Sequence, residues 1–566
     1  MKEVREYCMK KQNFIKSSAI LIASVMISKI AGVLFRIPLA SLLGGKGMAY
    51  FSGAYGLFLP VYAVFVSGFS AASAKVTAEY NAIYGSCGAE KVKKCSFVLF
   101  SLAGAAGTLL MLVLAWPFSV YAAGSDRIWL SLVMISPSVF FSCVSAAYRG
   151  YYEGHCMMFP TAVSQVVESV AKLILGISVC LAVQNNASWF KARFTCICTD
   201  VPALSAAGAS AGVMLSVLAG TLYIVSYDFV RNIKKNHDKN ESCRISSKRI
   251  IKELAAFAVP VAAGALMSSL TSLVDLCTII RYTGRAVREN PGYFTENYSF
   301  VFSADVSMDN FAEFAYGSFC GMAVTVFNLV PSFTNMFGKS IFPASADAWA
   351  RGNTEEIKRN AEKAVKITAM AALPAGCGIC ILSGDILSFL FPHSAAETMF
   401  CTESLRYLGI SVIFLCLSFP VFSILQAIGK AGTAARIMFA GTVLKALGNV
   451  LLVRIPWLNV SGAAISTGLC YLLIFIMSLY KLKKITGIRF SLFKLLAGPL
   501  YASLMCSASA WIVRSAPFLP VNEKVKFVVS VLCGAAVYSM LLFFLGEYKF
   551  FSETAECGKH CENYLA

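Results

Sequence analysis

The sequence predicts an all-α polytopic membrane protein of about fourteen transmembrane helices, arranged as two pseudo-symmetric six-helix lobes plus two C-terminal helices. Three observations predict it. Of 566 residues, 57% are hydrophobic and only 14% charged, with a mean hydropathy of +0.68, whereas soluble domains carry about 25% charged residues. Apolar stretches of about 20 residues or more recur from end to end, each long enough to cross a ~30 Å hydrocarbon core. The basic residues behind the net charge of +19 cluster between those stretches, as membrane topology requires, so the charge is no sign of nucleic-acid binding.

In chain order the expected spans are 14–43, 48–74, 95–123, 128–148, 157–183, 201–227, 252–281, 313–343, 364–391, 404–428, 434–456, 460–480, 490–514 and 524–546. The first follows a basic N-terminus and imitates a signal peptide, but it runs about 30 residues where a signal core has about 7–15. The lengths call for helices, because a barrel shows alternating segments of about 10 residues. With the N-terminus cytoplasmic, about 32 Lys and Arg fall on the cytoplasmic side, about 11 outside and about 6 within spans. An even number of spans returns the C-terminus to the cytoplasm.

The densest basic cluster, Arg231 to Arg249, divides the chain. The expected organisation is a lobe over 1–230, a cytoplasmic loop over 231–250, a second lobe over 251–485, two helices over 486–546 and a tail over 547–566. Ala54-Tyr55-Gly56 opens span two, which ends near Lys75; Ala315-Tyr316-Gly317 opens span eight, which ends near Lys339. Offsets of 261 and 264 residues, with Gly154 before span five matching Gly429 and Gly432 before span eleven, indicate a six-plus-six duplication.

Polar residues at membrane depth mark function, since an ionisable group there costs at least ~2.5–3.5 kcal/mol. Span one carries Lys29 and Arg36 two turns apart, with Gly32 on the same stripe. Either they snorkel to an interface or they face a cavity. On span five, Ser164, Gln165, Glu168 and Lys172 share a face, and Glu168 precedes Lys172 by four residues, the favoured order for a helical ion pair. That pair is either structural, or Lys172 faces an anionic substrate while Glu168 holds it or exchanges a proton. Span seven presents Ser268, Thr271, Ser272 and Asp275; span eleven presents Thr442, Lys445 and Asn449. Together these stripes suggest a water-filled, net-positive cavity suited to an anionic headgroup.

Other chemistry finds little support. No P-loop and no His-Glu-x-x-His occur, and neither a cofactor nor a metal is expected. Most of the 20 cysteines lie in apolar spans as small hydrophobes. Cys377/Cys380, Cys196/Cys198 and the tail group Cys557, His560 and Cys561 are minor metal or redox candidates. Asp305 and Asp309 read as a solvated loop.

Three stretches then carry a resemblance. They are Lys29-Ile30-Ala31-Gly32-Val33-Leu34-Phe35-Arg36-Ile37-Pro38 with Leu43-Gly44-Gly45-Lys46-Gly47, Arg149-Gly150-Tyr151-Tyr152-Glu153-Gly154 leading into Phe159-Pro160-Thr161-Ala162-Val163-Ser164-Gln165-Val166-Val167-Glu168, and Ala258-Val259-Pro260 with Asp275 downstream. The chain resembles, over nearly its whole length, the polysaccharide-transport branch of the multidrug/oligosaccharidyl-lipid/polysaccharide exporter superfamily, in particular its stage V sporulation protein B-like and lipid II flippase-like members. The resemblance implies fourteen helices around a central cationic cavity and flipping of undecaprenyl-diphosphate-linked saccharides to the outer leaflet. Basic residues of the family's first helix lie in that cavity, which Lys29 and Arg36 match. The chain departs from the family over Tyr282 to Asn310, which is longer than expected.

The expected mechanism is alternating access in a bacterial cytoplasmic membrane. Lys29, Arg36 and Lys172 receive the diphosphate, Gln165, Lys445 and Asn449 contact the substrate, and spans thirteen and fourteen form a groove for the lipid tail. Coupling uses Na+ or H+ at Glu168 or Asp275, or the membrane potential; cell-wall synthases are candidate partners. The rivals are a cation-coupled multidrug exporter of the same superfamily, a membrane enzyme acting on a polyprenyl lipid, and a scaffold for cell-wall synthases.

Overall fold

The structure, a computed structural model, describes residues 2–189, 200–234, 245–303, 306–487, 491–516 and 522–547. Asp305, Cys196, Cys198, Cys557, His560, Cys561, nearly all of the tail and the middle of the basic loop lie outside these. The described residues are helical without a strand and fall into two compact units that divide between Gly321 and Met322.

The first unit contains α1 (Lys2–Phe65), α2 (Phe69–Pro117), α3 (Ile128–Ile135), α4 (Pro137–Gly154), α5 (Met158–Asn185), α6 (Val201–Lys234), α7 (Ser247–Glu289), α8 (Pro291–Asn297), α9 (Ser299–Phe302) and α10 (Phe311–Ser318). The second contains α11 (Val324–Phe327), α12 (Leu329–Ala350), α13 (Thr354–Ile381), α14 (Ser383–Leu390), α15 (Ala395–Ala427), α16 (Ala431–Leu452), α17 (Asn459–Thr486), α18 (Leu492–Ser515) and α19 (Glu523–Phe544).

Among the described residues, eleven segments are long and apolar enough to cross a membrane. A twelfth arises if Met308–Phe327 and Leu329–Gly338, bent by 41°, form one span. One segment, Ala23–Ala122, is 100 residues long. It is broken where Gly44 and Gly85 adopt φ of 60° and 64°, a backbone region open chiefly to glycine. Of the expected spans, 48–74 lies inside it and 14–43 and 95–123 overlap its two ends, and there the two counts part. On α2, Leu102, Leu109 and Val113 form an apolar stripe more than 60% exposed, a surface suited to lipid rather than water.

Helices in lipid approach closely through small residues, and the repeated Ala-Tyr-Gly strings show this. A Cβ on Gly56 would lie 2.5 Å from Leu276 of α7, and one on Gly317 would lie 1.8 Å from the Gly45 carbonyl oxygen. In each string the glycine is thus a helix-crossing point. In the second unit the core runs along α13, α15 and α17 through Ile357, Val365, Leu373, Leu417, Val421 and Phe475. Helix α13 starts with a reciprocal cap: Asn353 accepts from the Glu356 backbone N–H (3.1 Å) and its amide donates to the Glu356 carboxylate (3.1 Å).

Candidate functional site

The first unit assembles four of the expected residues along one helix interface. Ser28 of α1 donates its hydroxyl to the Gln165 carbonyl of α5 at 3.3 Å. Two turns further along both helices, the Lys172 ammonium lies 5.2 Å from the Phe35 ring centroid and 5.4 Å from that of Tyr55. Both pairs have the same sequence separation of 137 residues. The N-terminal half of α1 and α5 therefore run in the same direction in register, so Lys29 stands at the level of Gln165 and Arg36 at that of Lys172. Gly176 of α5 gives Phe35 its place, since a Cβ there would approach the ring to 2.4 Å. Lys29 is exposed and Arg36 half-buried. The expected close approach at Gly32 is absent, as a Cβ there would meet nothing within 4 Å.

The ion pair expected within α5 is replaced by another. Glu168 accepts from Arg149 Nη2 of α4 at 2.8 Å, and no carboxylate among the described residues pairs with Lys172. Arg149 also donates to Ser164 Oγ through Nη2 (2.7 Å) and Nε (3.1 Å), while Ser164 donates to the Gly220 carbonyl of α6 at 3.1 Å. One hydroxyl proton and two lone pairs are thereby all used, and α4, α5 and α6 are tied at one point. Arg149 was missed because span four was expected to end at 148, whereas α4 runs to Gly154. The Lys172 ammonium lies against two aromatic faces, which attract a cation by about 0.5–2 kcal/mol, and among the described residues it donates no hydrogen bond.

Asp275 is buried on α7, next to Leu276, which packs on Gly56 beside Tyr55. Lys445 and Asn449 belong to the second unit and are only 3% and 0% exposed. Ser466 of α17 donates to Asn449 Oδ1, and Gly448 brings α16 onto Ser466. In this conformation neither side chain reaches solvent, so span eleven does not line open water as expected.

A second polar network joins Tyr50 and Glu313, expected at the outer ends of spans two and eight, to Ser125, Arg127 and Asp200, expected in outer loops. Tyr50 donates to Glu313 Oε2 at 2.6 Å, with Asp200 Oδ2 3.4 Å from the same hydroxyl. Ser125 donates to Glu313 Oε1, and Arg127 pairs with Asp200 at 3.3 Å. This network borders the Gly45–Gly317 crossing. A third links Lys93 to Asp228 (2.5 Å), which also accepts from Tyr152 at 2.8 Å.

Among the described residues no group of three or more His, Cys, Asp or Glu is placed to hold a metal. No nucleophile elbow is expected from the sequence, yet the string Gly208-Ala209-Ser210-Ala211-Gly212 has its letters. Ser210 lies within α6 and is fully buried, not on the exposed strand-to-helix turn that chemistry needs. The second unit contains an apolar cavity of about 490 Å³ lined by α11–α13, α18 and α19, among them Leu329, Pro374, Ala510, Val531 and Tyr538.

The family model described as "Polysaccharide biosynthesis protein" matches residues 14–349, and the one described as "Lipid II flippase MurJ" matches residues 307–528. The chain is 21% identical over 485 residues to Lipid II flippase MurJ of Bacillus subtilis (strain 168), covering 84% of this chain and 83% of the relative. It is 23% identical over 546 residues to Stage V sporulation protein B of the same organism, covering 94% and 96%. An inward-facing multidrug resistance MATE family transporter of the MOP superfamily superposes with a TM-score of 0.63 at 14% identity, over 83% of this chain and 98% of that one. At that identity the likeness is one of fold.

Proposed function

The chain belongs to the polysaccharide biosynthesis protein family, a multi-pass membrane protein with a MOP-superfamily flippase-like fold, and from that premise we propose that it flips a polyprenyl-diphosphate-linked saccharide by alternating access. The observation that carries the reading is Lys172. It is an ammonium at membrane depth with no carboxylate partner among the described residues, held over Phe35 and Tyr55 at the level of Arg36. A fixed cation of this kind recognises a phosphate as a point charge, and the neighbouring guanidinium adds a fork of donors. Lys29 and Gln165 extend the same interface toward the cytoplasmic end. The apolar cavity of the second unit is of the chemistry to take the polyprenyl tail.

In this reading the membrane is the bacterial cytoplasmic membrane with both termini inside, and the protein is a transporter rather than an enzyme. The Tyr50–Glu313–Ser125 network and the Gly45–Gly317 crossing act as the outer gate, which opens when the headgroup leaves. Lys445 and Asn449 join the substrate path only when the helices around them part. In this reading Glu168, bonded to Arg149, holds α4 on α5, and Asp275 or the membrane potential drives the cycle; at ~2.3 kcal/mol per charge per 100 mV, the potential acts on an empty cationic site. Recruitment of cell-wall synthases is a separate, additional role.

Native mass spectrometry of the purified protein tests the reading. Wild type should carry a polyprenyl-diphosphate saccharide whose mass identifies the sugar, and Lys172→Ala and Arg36→Ala should lose it. Equal lipid in wild type and both variants would remove these cations from recognition. Efflux of cationic dyes dependent on Asp275, with no bound lipid, would favour a multidrug exporter.

A further inference from the structure

Helix α7 has 43 residues, about 65 Å at 1.5 Å per residue, roughly twice the ~30 Å hydrocarbon core. Its C-terminal turns carry Arg281, Arg285 and Arg288, spaced to share one face. All three are exposed, and together with Tyr282 and Glu289 they line one cavity of about 600 Å³. Arg281 and Arg288 also border a neighbouring cavity of about 420 Å³, whose wall includes Asp309 and Glu313.

Cations near a helix C-terminus are often explained by the helix dipole, but that effect fades within the last turn. Arg281 lies more than two turns from Glu289 and has no hydrogen bond or ion pair among the described residues. Arg288 donates only to its own helix, at the Gly284 carbonyl (3.1 Å), and Arg285 pairs with Glu289 at 3.4 Å. Like charges one turn apart weaken a helix. Three arginines on the outer end of a span also run against the bias that keeps basic residues cytoplasmic. The long segment after α7 supports this face. Phe294 and Phe311 are fully buried with ring centroids 5.3 Å apart, and Tyr298 completes a triangle with them, stacked on Phe294 at 5.6 Å and edge-on to Phe311 at 5.5 Å. That aromatic core fastens α8 and α9 to α10.

We infer that the Arg281–Arg285–Arg288 face is a phosphate-binding site that takes the phosphate or diphosphate of a lipid headgroup on the membrane side opposite the basic loop. Guanidinium forks match phosphate oxygens bidentately, and Glu289 offsets only one of the three charges. The inference rests on the flippase reading for which lipid supplies the phosphate; the site itself rests on the cavity and its arginines. Within that reading it holds the headgroup on the exit side after it leaves Lys172.

Inorganic pyrophosphate titrated into the full-length protein in phosphatidylcholine nanodiscs tests the site. A Lys172→Ala background removes the intramembrane cation from the measurement. Affinity should fall at least tenfold on adding Arg281→Ala or Arg288→Ala, be partly kept in Arg281→Lys, and stay unchanged in Arg359→Ala, an exposed arginine elsewhere. These side chains are exposed, so folding should be unaffected. Displacement of pyrophosphate by undecaprenyl diphosphate but not by phosphatidylglycerol assigns the site to the lipid-linked saccharide. Equal displacement by both assigns it to anionic headgroups in general and keeps the site while separating it from transport. Unchanged pyrophosphate affinity in both alanine variants overturns the site, even if Lys172→Ala and Arg36→Ala abolish flipping; loss of pyrophosphate binding in the arginine variants alongside no flipping by the wild-type protein would instead keep the site and overturn the flippase assignment alone.

Discussion

The Lys172 ammonium lies 5.2 Å from the centre of the Phe35 ring, across the interface of two helices that share a register. The contact fixes a charge without neutralising it. An aromatic face lowers the cost of holding a cation at membrane depth, yet leaves its N–H donors free, whereas a carboxylate would occupy them. Phe35 is itself fixed, being almost fully buried and backed by Gly176.

Lys172→Met should therefore abolish flipping while changing thermal stability little, because no ion pair among the described residues is lost. Lys172→Arg, which keeps the charge, should retain part of the activity. Flipping of a fluorescent polyprenyl-diphosphate saccharide in proteoliposomes, read beside the melting temperature in detergent, checks this. Wild-type rates in Lys172→Met would exclude the residue from the mechanism.

Glu168 should behave oppositely. Its bond to Arg149 is part of a three-helix junction, and a hydrogen bond to a charged group contributes about 1.5–3 kcal/mol. With side chains 31% and 16% exposed, the lower end of that range applies after solvent screening. Glu168→Ala and Arg149→Ala should each lower the melting temperature, and the double variant should lose less than the sum. A Glu168→Gln protein of wild-type stability that has lost its response to a Na+ or H+ gradient would return Glu168 to coupling.

This pair also shows how far the sequence is legible. Hydropathy and basic loops suffice for the helical membrane fold because burial in lipid dictates both. The polar faces of spans one and five were legible because seven-residue spacing keeps residues on one side of a helix. Partners were not. The Glu168–Lys172 spacing satisfies the rule for isolated helices, but Arg149, nineteen residues upstream, competes from a neighbouring helix. Lys445 has the same intramembrane signature as Lys172, and only packing shows that it is closed between helices. Glu313 opens the expected span eight without a partner, because nothing local links it to Tyr50, 263 residues away.

Two glycines in apolar spans should respond differently to the same change. A Cβ at Gly317 would penetrate the Gly45 carbonyl, whereas one at Gly32 meets open space. Gly317→Ala should destabilise by about 1–3 kcal/mol or more through overpacking and raise thiol-reagent labelling of a Ser125→Cys reporter from outside. Gly32→Ala should be neutral or gain about 0.5–1 kcal/mol from helix propensity. Similar melting temperatures for the two variants would show that the α1–α10 crossing is not tightly closed.

The apolar cavity of the second unit offers a test that separates tail from headgroup. Val531 lines it and is 42% exposed, so a larger side chain there fills the groove with little disturbance of packing. Val531→Trp should weaken binding of undecaprenyl diphosphate at least fivefold and leave that of a short-chain prenyl diphosphate unchanged, because only a long chain extends into a cavity of about 490 Å³. Lys172→Ala should weaken both equally, since every chain length carries the same diphosphate. Measured by competition in nanodiscs, a crossed pattern of this kind assigns tail and headgroup to different units of the protein. Equal losses for long and short chains in Val531→Trp would mean that the tail runs elsewhere along the lipid-facing surface.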